Sequence, residues 1–196
     1  MHATSRGHGI TTDIIWVSSI AFLWIIAFEF NRLVLNHFNY STYASWIFLP
    51  AFLKVVFILI SRWQGFLGLF LGGFYVNYIN QDLNTFNSIC LSLILGLGPL
   101  VALYIVNTKG ILDESLKSIT PYILVKFIII SCLLSAIFHG IYFYVNQELN
   151  VLIQSSIIFL GDIVGCMIMF LLWAKFMKLG IYFKKSAVEK SAVDKH

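Results

Sequence analysis

The feature that most limits the fold is a series of apolar runs, several of them about 18 to 25 residues long, the length a helix needs to cross a hydrocarbon core of ~30 Å. These runs are apolar on every side and lack the alternation of barrel strands. In lipid every backbone N–H and C=O must find a partner inside the protein, so such runs are expected to be helices. Composition agrees: 59% of the 196 residues are hydrophobic and only 11% are charged, against about 25% charged in an ordinary soluble domain. The expected fold class is an all-α membrane protein, a polytopic bundle of about six transmembrane helices with both termini cytoplasmic.

The spans are expected at 14–35, 46–61, 64–80, 87–107, 121–144 and 152–174. Polar breaks separate them: "NHFNYST", "SRWQG", "NQDLNTFN", "NTKGILDESLKSITP" and "NQELN". The second and third spans are short and tightly joined, which predicts a hairpin within the membrane. Pro121 suits a helix start. Residues 1–13 read as a cytoplasmic N-terminal segment, 14–178 as the transmembrane domain and 179–196 as a charged, solvated tail. The first apolar run is too long for the core of a cleavable signal peptide and is expected to stay as a span.

Orientation follows from the positive residues. With six spans one side collects Arg6, Arg62, Lys109, Lys117, Lys175, Lys178, Lys184, Lys185, Lys190 and Lys195. The opposite loops hold Asp82, Glu148 and His37 and no lysine or arginine. The basic side should face the cytoplasm, which makes a bacterial inner membrane the expected location. The net charge of +4 comes mostly from the tail and suits an anionic leaflet. No basic face is interleaved with aromatics, so nucleic acid is not an expected partner.

Several chemistries find no support. Cys90, Cys132 and Cys166 lie in apolar runs without a CxxC spacing, so they read as small packing residues. No HExxH, GxSxG or phosphate loop is present. No catalytic residue, metal ligand set or cofactor is expected; a haem would need a second axial histidine at the depth of His139.

The polar residues inside the spans are more informative, because a charge at the bilayer centre costs about 2.5–3.5 kcal/mol on the insertion scale. Asp162, in "FLGDIVG", lies about ten residues into its span, hence ~15 Å deep. Lys54 lies at a similar depth with the opposite sign, so a mutual ion pair or a shared ligand is expected. Glu29 and Arg32, three residues apart, can pair on one helix face. Asn77 and His139 fall in the outer half of their spans, whereas Lys126 sits near an inner end and can snorkel. Asp162, Lys54, Glu29, Asn77 and His139 are therefore the candidate ligand-binding residues, with Asp162 and Lys54 as the floor of an outward-biased pocket. Gly68, Gly72 and Gly73 on one span, and Gly161 and Gly165 on another, are expected at close helix–helix contacts. Pro50 and Pro99 are expected to bend helices; Pro99 closes the stretch "GLGP".

"WIFLPA" (residues 46–51), "GFLGLFLGGFYVN" (65–77) and "FLGDIVG" (159–165), in that order and spacing, resemble the bacterial membrane-associated sensor domain of the first type. Phe52 stands where that family has glycine, and its proline after Gly-Asp is missing. The family commonly has about eight helices and precedes an output domain. The resemblance implies an integral membrane sensory or ligand-binding module whose output partner, membrane or cytoplasmic, is separate, and it implies no particular ligand. The residues themselves lead to the expectation of a non-enzymatic module that recognises a small molecule or a membrane condition. Asp162, Pro50, Gly72, Gly73 and Asn77 are the matching positions. Two other classes fit the size: a substrate-binding membrane subunit of a small-molecule transporter, and a structural subunit of a cell-envelope complex. The transporter class has a small-residue docking pattern on its first span, whereas "WVSSIAFLWIIAFEF" is bulky.

Overall fold

The computed structural model describes residues 9–107 and 119–193, the last sixteen of these (178–193) in backbone only. Arg6, Lys109, Lys117 and Lys195, which carry part of the orientation argument, lie outside the described residues. Helix α1 (Ile10–Leu35) ends in a short 3-10 turn, Asn36–Phe38. α2 (Pro50–Tyr75) continues into a π-helical turn, Val76–Asn80. Three helices follow: α3 (Thr85–Val106), α4 (Pro121–Val145) and α5 (Val151–Val193). Among the described residues five helices are long and apolar enough to cross a membrane. Among the described residues β structure amounts to one isolated bridge, Asn39 to Ser45. The chain is thus a helical, multi-pass membrane protein.

Local chemistry sets the helix starts. Pro50 and Pro121 occupy first-turn positions, where a missing N–H costs nothing. Asn84 Oδ1 accepts from Asn87 N–H at 2.8 Å and Thr120 Oγ1 from Ile123 N–H at 3.3 Å, each satisfying a donor left free in a first turn. The matching segments "NQDLN" and "NQELN" form two of the turns between helices, with left-handed backbone at Asp82, Gln147 and Asn150.

α2 is not one straight rod. Arg62 has φ 45° and ψ −107° inside it, and a Cβ on Gly65 would collide with the backbone carbonyl of Phe57. Residues that far apart in a straight helix lie ~12 Å apart along its axis. The chain therefore folds back at Arg62, and residues 50–61 and 63–75 are two arms of a hairpin. The second arm runs alongside α1 in the same direction. Gln64 Nε2 donates to Asp13 Oδ1 at 3.2 Å, Gly68 abuts Val17 and Ile20, Gly72 abuts Ala21 and Trp24, and Asn80 donates to Glu29. The first arm runs the other way, from the level of Asn31, whose Oδ1 accepts from Leu49 N–H at 2.9 Å. The helices then follow one another around the bundle, α2 against α1 and α3, α4 between α3 and α5, with α5 closing back on α2. Ile20, Trp24, Val55, Ile58, Leu69 and Phe127 are at the core between them.

Three expectations need correction. A helix from residue 46 was expected, but it begins at Pro50, and residues 39–49 enter the bundle as non-helical backbone. Gly161 and Gly165 do not pack helix on helix. A Cβ on either would strike the backbone carbonyl of Ser45 or Phe48 in that entering segment. Pro50 starts a helix and does not bend one, because its fixed φ suits the first turn. Pro99 lies inside α3, which continues through it to Val106; the chain break is at Arg62. There is also a difference at the C-terminal end. The backbone of α5 stays helical through Val193, 43 residues in all, about 65 Å and roughly twice the hydrocarbon thickness.

Candidate functional site

The entering segment builds the site. Gly161 and Gly165 lie ~15 and ~21 Å along α5 from Val151, so residues 45–49 penetrate well below the end of the bundle at which α5 begins. Irregular backbone survives at such depth only when buried in protein or lining a cavity, with its polar groups paired. That is the case here. Trp46 N–H donates to Phe38 O at 2.9 Å, Phe48 N–H to Gly161 O at 3.2 Å, and Leu49 N–H to the buried Asn31 side chain. Ser41 Oγ donates to Gln154 Oε1 at 2.8 Å, tying the outer part of the segment to the start of α5. The two glycines are needed because only hydrogen at those positions lets the segment lie on α5.

Beneath the segment Lys54 Nζ meets Asp162 Oδ2 at 2.6 Å, and the two side chains are 4% and 3% exposed. The pair joins the first arm of α2 to α5. The Phe48 ring lies 5.5 Å from the ammonium, a cation–π arrangement that gains strength where water is absent. Phe48 also meets Trp24 and Phe28 edge to face, with centroids 6.1 and 6.2 Å away. One backbone segment thus presents both the ring over the lysine and the contact to the glycines beside the aspartate.

A cavity of about 540 Å³ opens from this pair, within the range of small-molecule sites. Lys54, Asp162, Asn77 and His139 line it, so four of the five candidate residues come together from α2, its π turn, α4 and α5. Asn77 Nδ2 donates to Ser92 Oγ at 3.2 Å. His139 Nδ1 lies 2.7 Å from Ser135 O; a carbonyl only accepts, so Nδ1 carries the proton. Glu29, the fifth, does not line the cavity. It takes two bonds from Arg32, at 2.9 and 2.6 Å, and one from Asn80. Its carboxylate is held at the rim by i,i+3 pairing, so it is a brace for Arg32 and the π turn and not a wall.

Other wall residues were missed. Trp24, Asn31, Phe48 and Gln81 line the cavity, and none is charged, which is why a search for buried charge passed over them. Asn31 had a signal: a lone amide inside an apolar run beside the Glu29–Arg32 pair. Tyr43 lines the outer part, where burial, and then the Glu148 carboxylate, raise its hydroxyl above the usual range. Among the described residues no group of three or more His, Cys, Asp or Glu could hold a metal ion. No family model, curated protein or solved structure matches the chain.

Proposed function

We propose that this chain is a non-enzymatic sensory module of a bacterial inner membrane, which recognises a small molecule from the outside and passes the signal to a separate protein. Its topology is six crossings with both termini in the cytoplasm. The reversal at Arg62 supports that count, since it gives α2 two arms, and the basic residues support that orientation. The observation that carries the functional reading is the cavity reaching a desolvated Lys54–Asp162 pair. A pair that only fastened helices would need no access, and a buried charged pair is often no more stabilising than apolar residues of similar volume. Recognition becomes signalling when the ligand binds two conformations unequally. The segment 39–49, fixed to α5 by backbone contacts and to α1 through Asn31, is the element a ligand would bias.

The test uses Lys54→Met with Asp162→Asn, which removes both charges together. Wild type and double variant are compared in a deletion strain for membrane abundance and for restoration of the transcript profile. Normal abundance with lost restoration supports recognition. Full restoration makes the pair a fastening only. The same cavity suits a substrate-binding transporter subunit, which would instead restore uptake of a labelled solute together with an ATPase.

A further inference from the structure

Ligand class follows from what the cavity leaves unsatisfied, and this step rests on the recognition reading above. Both cations of the wall are already balanced: Lys54 by Asp162 and Arg32 by Glu29. A ligand with net charge would bring that charge into the cavity without a free counter-charge, at a desolvation cost. Two polar atoms of the wall have the opposite need. Trp24 Nε1–H is buried, in a residue 2% exposed, and no protein group accepts from it; the buried Gln81 Oε1 receives no donor. Buried polar groups in native proteins are nearly always paired. His139 adds a third feature. Its Nδ1 proton is spent on Ser135 O, so in the neutral ring Nε2 is a bare acceptor. Residues of the wall therefore offer at least one unpaired donor and at least two acceptors, beside the aromatic rings of Trp24, Phe28 and Phe48.

We propose that the cavity takes a planar, net-neutral small molecule bearing both a carbonyl-type acceptor and an N–H or O–H donor, as a lactam ring does. The acceptor meets Trp24 Nε1–H, the donor meets His139 Nε2 or Gln81 Oε1, and the ring packs on the aromatic wall.

The purified protein in detergent is titrated calorimetrically with four bicyclic probes of similar size: quinolin-2(1H)-one, naphthalene, 2-naphthoate and 2-naphthylmethylammonium. Saturable binding of the lactam, with each of the other three at least about tenfold weaker, is expected; a factor of ten corresponds to one good buried hydrogen bond. Trp24→Phe should weaken the lactam about tenfold. If that variant does not fold, N-methylquinolin-2-one, which lacks the donor, reads the same chemistry from the ligand side and should also bind about tenfold more weakly than the parent. Binding of the naphthoate or the ammonium as tightly as the lactam overturns the neutral-ligand inference while leaving recognition intact. Absence of saturable binding by all four overturns the inference too; the complementation experiment judges the recognition reading separately.

Discussion

Removing one partner of the Lys54–Asp162 pair should do more damage than removing both. At the 2.6 Å separation of Nζ and Oδ2, the mutual attraction is about 6 kcal/mol with an effective dielectric constant near 20. That is a gross term, set against several kcal/mol of desolvation for each ion. Asp162→Asn leaves the ammonium at 4% side-chain exposure without its counter-charge, and Lys54→Met strands the carboxylate in the same way. Each single change is expected to destabilise by about 3–5 kcal/mol. The double change strands no ion, so it should cost less than either single. The assay is unfolding in mixed micelles with rising SDS, followed by helicity and by tryptophan fluorescence. A double variant whose cost equals the sum of the two singles would mean that the residues act independently, and the electrostatic account would be wrong.

Other consequences are as specific. Gly165→Ala forces a methyl into the Phe48 carbonyl, where backbone cannot step aside cheaply. It should destabilise by at least about 1–3 kcal/mol, read as a lower melting temperature in detergent. Arg62→Gly should raise the melting temperature by an amount equivalent to about 1 kcal/mol, because φ 45° at Arg62 is strained for any residue with a Cβ; a lower value would place the reversal elsewhere. Reporter fusions after Lys109 and Lys185 are expected to be cytoplasmic, and fusions near Asp82 and Glu148 external. A cytoplasmic reporter at Asp82 would invert the orientation.

The parts of this fold that were legible in the sequence are those set by solvent. Lipid demands long apolar helices, and it makes a mid-span Asp162 and Lys54 conspicuous, so both the helical class and the pairing could be read. The polar "SRWQG" stretch likewise marked the reversal that Arg62 makes. What escaped was set by tertiary contact. "STYASWIFLP" is apolar enough to pass for the start of a span, and nothing local says that residues 45–49 lie on α5 as irregular chain. The Gly161–Gly165 spacing is the same whether a helix or a loop covers it. Glu29 looked like a wall because its depth was readable, whereas its bonds to Arg32 and Asn80 depend on the second arm of α2 running beside α1. Trp24 and Gln81 look like ordinary apolar and loop residues until their unpaired atoms are found at the cavity.

The central claim is that water reaches the cavity wall from the outside. It is tested most directly by cysteine accessibility in a background with Cys90, Cys132 and Cys166 replaced by alanine. Asn77→Cys lines the cavity, and Ile58→Cys, at a position 0% exposed in the core, serves as the buried control. Spheroplasts are treated with a membrane-impermeant methanethiosulfonate, and the remaining free thiol is counted by a maleimide mass tag. The account predicts rapid modification at position 77 from the outside and none at 58. Protection of position 77 in spheroplasts, with modification only in inverted vesicles, would contradict it.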